Sequence, residues 1–141
     1  FHGGFRWEGV ERLTYKEDRA LFRDVSRQVL FDAEHGSGAQ LRYFEIGPDG
    51  HTTLERHEHP HAVVVLRGRG RVLVGRTITD IAPFDLVSVP PMTWHQLRAS
   101  EAEPLGFLCL VDSERDRPQL PTREDLDALR EEPDIAAFIR V

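Results

Sequence analysis

Short segments in which apolar residues run together or alternate over four to eight positions recur along the chain. They are "RQVLFD", "QLRYFEI", "HAVVVLRG", "RVLVG", "LVSVP", "WHQLRA" and "PLGFLCLV". Turn formers fill the gaps between them, at "EHGSG", "GPDG", "RGRG", "APFD", "VPPM" and "SEAEP". Runs of this length, rich in Val, Phe and Tyr and closed off by Gly, Pro and Asp, fit a pleated, half-buried surface. Their even spacing predicts an all-β sandwich or barrel. No strand-like segment alternates with a helical one, which argues against a parallel α/β sheet.

The pattern changes after Asp112. "SERDRPQLP" reads as a polar connector, and "TREDLDALREE" opens with a capping box, Thr122 with Asp125, followed by Leu126 and Leu129 at helical spacing. Pro133 ends that helix. "DIAAFIR" adds a second short helical turn, with Ile135 and Phe138 expected to face inward and the whole tail to pack outside the barrel. At the other end, "FHGGFRWEGVERLTY" reads as an arm whose aromatics need a docking place, for which a partner subunit is the natural candidate. The predicted organisation is an arm over 1–24, a barrel over 25–112, and a connector with a C-terminal helix over 113–141, all in one domain.

Composition narrows the functional classes. The 141 residues are 40% hydrophobic and 30% charged, as expected of a folded globular chain, and one domain of this length can build a real core. A net charge of -6 with scattered arginines offers no footprint for nucleic acid or an anionic membrane. The longest apolar run, "HAVVVL", is far short of the roughly 18–20 residues that cross a bilayer. A cytoplasmic location is the default expectation. One cysteine, Cys109, excludes an internal disulfide and any cysteine-rich metal site.

The chemistry concentrates in "LERHEHPH", residues 54–61, where Glu55, His57, His59 and His61 share one parity just before a hydrophobic run. On a strand, residues two apart point to the same face with Cα atoms about 6.6 Å apart, so such side chains can lean toward one point. One histidine on a strand edge is ordinary surface chemistry. Four donors of one parity, with His95 as a fifth after "VPPMTW", point instead to a divalent transition metal such as Mn, Fe, Ni, Co, Zn or Cu.

These two blocks resemble the two motifs of the cupin superfamily, G-x5-H-x-H-x3,4-E-x6-G and G-x5-P-x-G-x2-H-x3-N, over roughly residues 41–111. "VVVLRGRGRVLVG" and "PFDLVSVPPMTWHQ" carry the likeness. The resemblance implies a double-stranded β-helix (jelly-roll) barrel holding one metal through three histidines and a glutamate. Taken literally, the histidine pair is His57-x-His59, but Val63 then falls where the motif has its carboxylate. With Gly68 as the closing glycine, the donors are Glu55, His57 and His61, completed by His95 from the second motif. That frame puts Asp49, Phe84 and Met92 at motif glycines and Ala99 at the motif asparagine, while Pro90 matches. His59 is left as a base or substrate contact in the cavity, or as the ligand in place of Glu55.

Around that centre, Phe107, Cys109 and Val111 share one face of the "PLGFLCLV" strand. A lone strand cysteine is ordinarily a small buried hydrophobe. If its face is the metal face, Cys109 becomes an acid or nucleophile whose pKa a nearby cation lowers. Tyr43 is likewise a core aromatic, or a pocket hydroxyl if its parity is right. Trp94 and Met92 are expected to wall the cavity. Arg42 and Arg98 could bind phosphate or carboxylate, though solvated surface is their ordinary fate.

A finer likeness to small bacterial cupins acting on a methylthio-ketose phosphate rests on "RYFEI", "TLERHEH" and "EPLGFLCLVDSERDRPQ". It implies a Mn-type ion that chelates the ketose and stabilises an enediolate, a thiol such as glutathione that takes the methylthio group, and a cysteine, here Cys109, that moves a proton at carbon. The expected function is therefore a metal-dependent lyase, isomerase or sulfurylase working on a small oxygenated metabolite. A metal-dependent dioxygenase and a non-catalytic small-molecule-binding module are the alternatives. The expected partners are a small-molecule substrate and a second copy in a homodimer, with neither nucleic acid nor membrane.

Overall fold

The computed structural model describes residues 1–14 and 21–141. Nine strands form it: β1 (Arg12–Thr14), β2 (Arg23–Phe31), β3 (Ala39–His51), β4 (His61–Arg67), β5 (Gly70–Val74), β6 (Thr77–Ile81), β7 (Leu86–Val89), β8 (His95–Ala99) and β9 (Leu105–Asp112). Helices α1 (Arg123–Arg130) and α2 (Pro133–Phe138) close the chain. All pairings are antiparallel, in the order β6-β5-β8-β3-β9-β4-β7, with β2 also on β3 and β1 on β2. This is the expected all-β barrel with a short helical tail.

The seven segments read from the pattern all lie on strands. The pattern predicts neither β1 nor β6, and it places a turn at "GPDG" where β3 continues. Val25 pairs with Ile46 and Arg23 with His51, so β2 advances two residues while β3 advances five. The turn chemistry is real, but it is absorbed as a bulge inside one long strand. The bulge lets β3 serve both halves of the barrel. Ala39–Ile46 pair with β9, whereas His51 pairs with Arg98 of β8.

Alternation along each strand splits the apolar residues into two cores. The interior holds Val25, Ile46, Val63, Val65, Val72, Leu97, Leu105, Phe107, Cys109 and Val111. Outside it, Leu54 and Leu73 pack under the tail with Leu129, Ile135, Phe138 and Ile139. Each fully buried side chain of this size contributes about 1.5–3 kcal/mol, which is what holds a six-residue helix that could not form alone. The Thr122–Asp125 capping box forms as read. Pro133, read as a stop, is the first residue of α2, where its missing N–H costs nothing. Gln96 on β8 ties the tail down through bonds to the Arg140 carbonyl and amide.

The N-terminal arm docks on its own barrel. Phe5 stacks on Tyr43 at 5.3 Å and Trp7 tilts against the same ring at 5.2 Å. Gly68, between β4 and β5, has φ +73°, and a Cβ there would lie 1.8 Å from the Pro104 carbonyl oxygen, so both backbone and space demand glycine.

Candidate metal centre

Two segments far apart in sequence, residues 55–61 and the start of β8, meet in the barrel. Glu55 and His95 exchange both backbone hydrogen bonds, Glu55 N to His95 O and His95 N to Glu55 O. This pairing carries the Glu55 carboxylate to 3.9 Å from His95 Nε2. His61 is the first residue of β4. His57 and His59 are not on a strand as the alternation implied; they sit in the bend between β3 and β4. The bend nevertheless brings them in. The His57 ring lies 4.3 Å from that of His61 and 4.8 Å from that of His95, and His61 is 5.4 Å from His95.

Hydrogen bonds set the tautomers. His57 Nδ1 donates to the His59 carbonyl and His95 Nδ1 to the Thr93 carbonyl, so each ring keeps a lone pair on Nε2. Among the described residues His57 Nε2 is buried with no hydrogen-bond partner, as suits an atom that ligates a metal. His57 with His59 and His61, and His57 with Glu55 and His95, each present donor atoms within 4.8 Å of one another. The residues present therefore fit a divalent ion.

The electrostatics agree. Burial pushes His61 down to about 2, helped by the neighbouring His57 and His95, and pushes His95 down to about 4 against the pull of the Thr93 carbonyl. Burial also lowers His57, so these rings are neutral donors near neutrality. Glu55 is raised by burial to about 7, with Arg42 opposing. A carboxylate this costly to ionise gains most from a cation beside it.

His59 differs from the other three rings. It stacks nearly parallel on His57, at 3.8 Å and 9°. A bound ion lies in the plane of each ligating ring, and two stacked planes a ring's thickness apart do not share such a point. Its Nδ1 meets Asp116 Oδ1 at 2.6 Å, and the same carboxylate accepts the backbone amides of Glu58 and His59. Those amides and the imidazole hold Asp116 well below the usual carboxylate range. Asp116 lies in the polar connector, 57 residues from its partner, and nothing local in the sequence marks it.

The centre opens into a cavity of about 330 Å³ whose lining includes Glu55, His59, His61, His95 and Cys109. Cys109 thus faces the metal side, on the face it shares with Phe107 and Val111. Burial pushes the thiol up, and Arg42 draws it down by less, so the sulfur is held protonated. Further expectations are corrected. Tyr43 has the wrong parity: Arg42 and Phe44 point inward, while Tyr43 lies beneath the arm with its hydroxyl donating to Glu45. Trp94 packs beside the outer core, under Arg56, and Met92 is exposed, so neither walls the cavity. Arg42 is not surface at all; it is buried and lines the cavity. Arg98 instead binds the Phe138 carbonyl and anchors the tail.

Backbone conformation is left-handed at the motif glycine positions of the Gly68 frame. Asp49, Phe84 and Met92, which that frame sets at motif glycines, have φ of 60°, 77° and 54°. The fold keeps the left-handed conformation glycine would supply and strains three other residues into it. Phe84 is 81% exposed, so its side chain contributes little packing. Phe84→Gly is therefore expected to raise stability by about 0.5–1 kcal/mol in urea titration; a loss of that size would show that the ring is held by contacts its exposure hides.

The barrel, its inward histidines and the left-handed motif positions define a cupin, and the comparisons agree. Residues 42–111 match the Cupin domain family. The chain belongs to that family. A Rhodospirillum rubrum protein named 1-methylthio-D-xylulose 5-phosphate methylsulfurylase is 54% identical over 140 residues, covering 99% of this chain and 89% of that protein. A cupin-2 domain crystal structure from Rhodospirillum rubrum superimposes with TM-score 0.92 at 55% identity, covering 98% of this chain and 93% of that one. A cupin 2 conserved barrel domain protein from Rhodopseudomonas palustris gives 0.92 at 55% identity, over 96% and 94%. Among the described residues no helix is long and apolar enough to cross a membrane.

Proposed function

We propose that this chain is a metal-dependent methylsulfurylase acting on 1-methylthio-D-xylulose 5-phosphate or a close methylthio-ketose phosphate, with Mn(II) as its ion. What carries the reading is one cavity lined by Glu55, His61, His95 and the buried thiol of Cys109, with His57 offering its donor within 4.8 Å of those of Glu55, His61 and His95. The substrate comes from the name of the Rhodospirillum rubrum relative. Three neutral imidazoles and one carboxylate suit a divalent ion with positions left open for a chelating substrate.

When bound, the ion supplies Lewis-acid polarisation of the ketose carbonyl. The chain's own residues handle the protons. His59, oriented by Asp116, is placed to take a proton from a substrate hydroxyl or from the incoming thiol and to return it. The thiol sulfur forms a bond to the methylthio sulfur, the C–S bond breaks, and its electron pair passes to the carbon beside the polarised carbonyl. Cys109 Sγ–H protonates that carbon and is reprotonated by the proton that His59 took from the incoming thiol. A thiol held protonated by burial suits an acid better than a resting nucleophile. The apolar walls, Val63, Val89, Leu97 and Phe107, exclude water from the carbanionic carbon.

The test is turnover of 1-methylthio-D-xylulose 5-phosphate with glutathione by manganese-loaded protein. Mass spectrometry should show a 1-deoxypentulose phosphate and the methylthio–glutathione disulfide, at equal rates with and without O2. Absence of the disulfide, or a rate that vanishes without O2, would retire the proposal, the second outcome in favour of a dioxygenase.

A further inference from the structure

We propose that Arg42 forms the phosphate subsite of the cavity, receiving the phosphate monoester of the substrate while the carbonyl end lies at the histidine cluster. This rests on the reading of the substrate as a phosphorylated ketose. Arg42 lies on β3 with only 7% of its surface exposed. Its guanidinium sits 5.0 Å above the Phe44 ring, which fixes the plane of the fork. Its one hydrogen bond among the described residues runs from Nη2 to Cys109 Sγ at 3.4 Å, and a thiol is a weak acceptor. Among the described residues Nε is buried with no hydrogen-bond partner.

A guanidinium in this state is expensive. Arginine stays charged under all ordinary conditions, and a buried charge is tolerated when it is paired and hydrogen-bonded. Among the described residues no carboxylate lies within ion-pair distance of Arg42. Glu55 acts on it only at longer range, and that carboxylate belongs to the metal centre. Arg27 and Arg115 line the same cavity and add to its positive character. Arg42 lines this space, and a phosphate dianion offers both the charge and the paired oxygens a guanidinium fork matches. The bond to Cys109 adds a geometric consequence: the proton donor and the phosphate clamp are fixed to each other, so binding of the phosphate sets the distance from Sγ to the sugar chain.

Calorimetric titration of the manganese-loaded full chain with D-xylulose 5-phosphate and with D-xylulose tests this. The wild type should bind the phosphorylated sugar at least about 30-fold more tightly, as expected for a buried, hydrogen-bonded charge pair. Arg42→Met should reduce that preference to less than about threefold while binding D-xylulose as before and keeping or raising its unfolding midpoint, since a buried charge is replaced by an apolar chain of similar length. Arg42→Lys, with charge but no fork, should retain part of the preference, and it serves should Arg42→Met not fold. Phosphate preference that survives in Arg42→Met would overturn the assignment and place the phosphate on the metal or on other arginines. A defect confined to the KM for glutathione would overturn it too, placing the thiol's carboxylate there. The two readings fail separately. Loss of phosphate preference in Arg42→Met without any methylsulfurylase turnover by the wild type leaves the subsite standing and removes the activity; wild-type kcat/KM in Arg42→Met does the reverse.

Discussion

Glu55→Ala and His95→Ala are each expected to lose most of the metal that the purified protein carries, with affinity falling more than about 100-fold, whereas His59→Ala keeps it. The lower bound follows from the 10–100-fold losses that accompany removal of residues merely supporting a ligand; removing the ligand costs at least as much. The asymmetry has a geometric origin. Glu55 is cross-paired to His95 and its carboxylate lies 3.9 Å from that ring's free nitrogen. The His59 ring lies flat on His57 and is tethered from behind by Asp116. Elemental analysis of the purified variants, with chelator competition for affinity, decides the matter. Metal retained in Glu55→Ala and lost in His59→Ala would sink the Glu55, His57, His61, His95 set and make His59 the ligand.

The second large effect is expected at Cys109. Cys109→Ser should bind metal as the wild type does but turn over 10²–10⁴-fold more slowly, the usual range for loss of a positioned proton donor. Serine fits the same space and can still accept from Arg42, but its hydroxyl is a far weaker acid than a thiol. Single-turnover kinetics beside metal content separates this from a binding defect. An unchanged rate would make Cys109 a core residue that happens to line the cavity.

The strands were legible because apolar alternation is a local signal. "HAVVVLRG" and "PLGFLCLV" announce buried strands in any context, and the Thr122–Asp125 box announces a helix start. "GPDG" misled because the same four residues make a hairpin turn or a bulge, and only the β2 register, Val25 to Ile46 and Arg23 to His51, decides between them. Strand β6 escaped because "TITDI" is short and its only fully buried residue is Ile81.

At the site, the donors were legible but their roles were not. Alternation singled out Glu55, His57, His59 and His61, which the structure does bring together, though not on one strand, since the first three precede β4 and converge through a bend and a cross-strand pair. Parity separated Cys109, which faces the cavity, from Tyr43, which does not. That separation needed the sheet, because a strand's two faces are equivalent until a neighbour buries one.

The sequence by itself determined the fold class, the cluster of candidate metal donors and the glycine-like backbone positions, because each depends on spacing along a chain of fixed geometry. Only the tertiary structure decided that Asp116 stands behind His59, that the Arg42 guanidinium lies inside rather than in solvent, and that Cys109 shares its cavity. These depend on groups 57 and 67 residues apart meeting in a low-dielectric interior. Burial changes what a charge costs, and no local pattern records it.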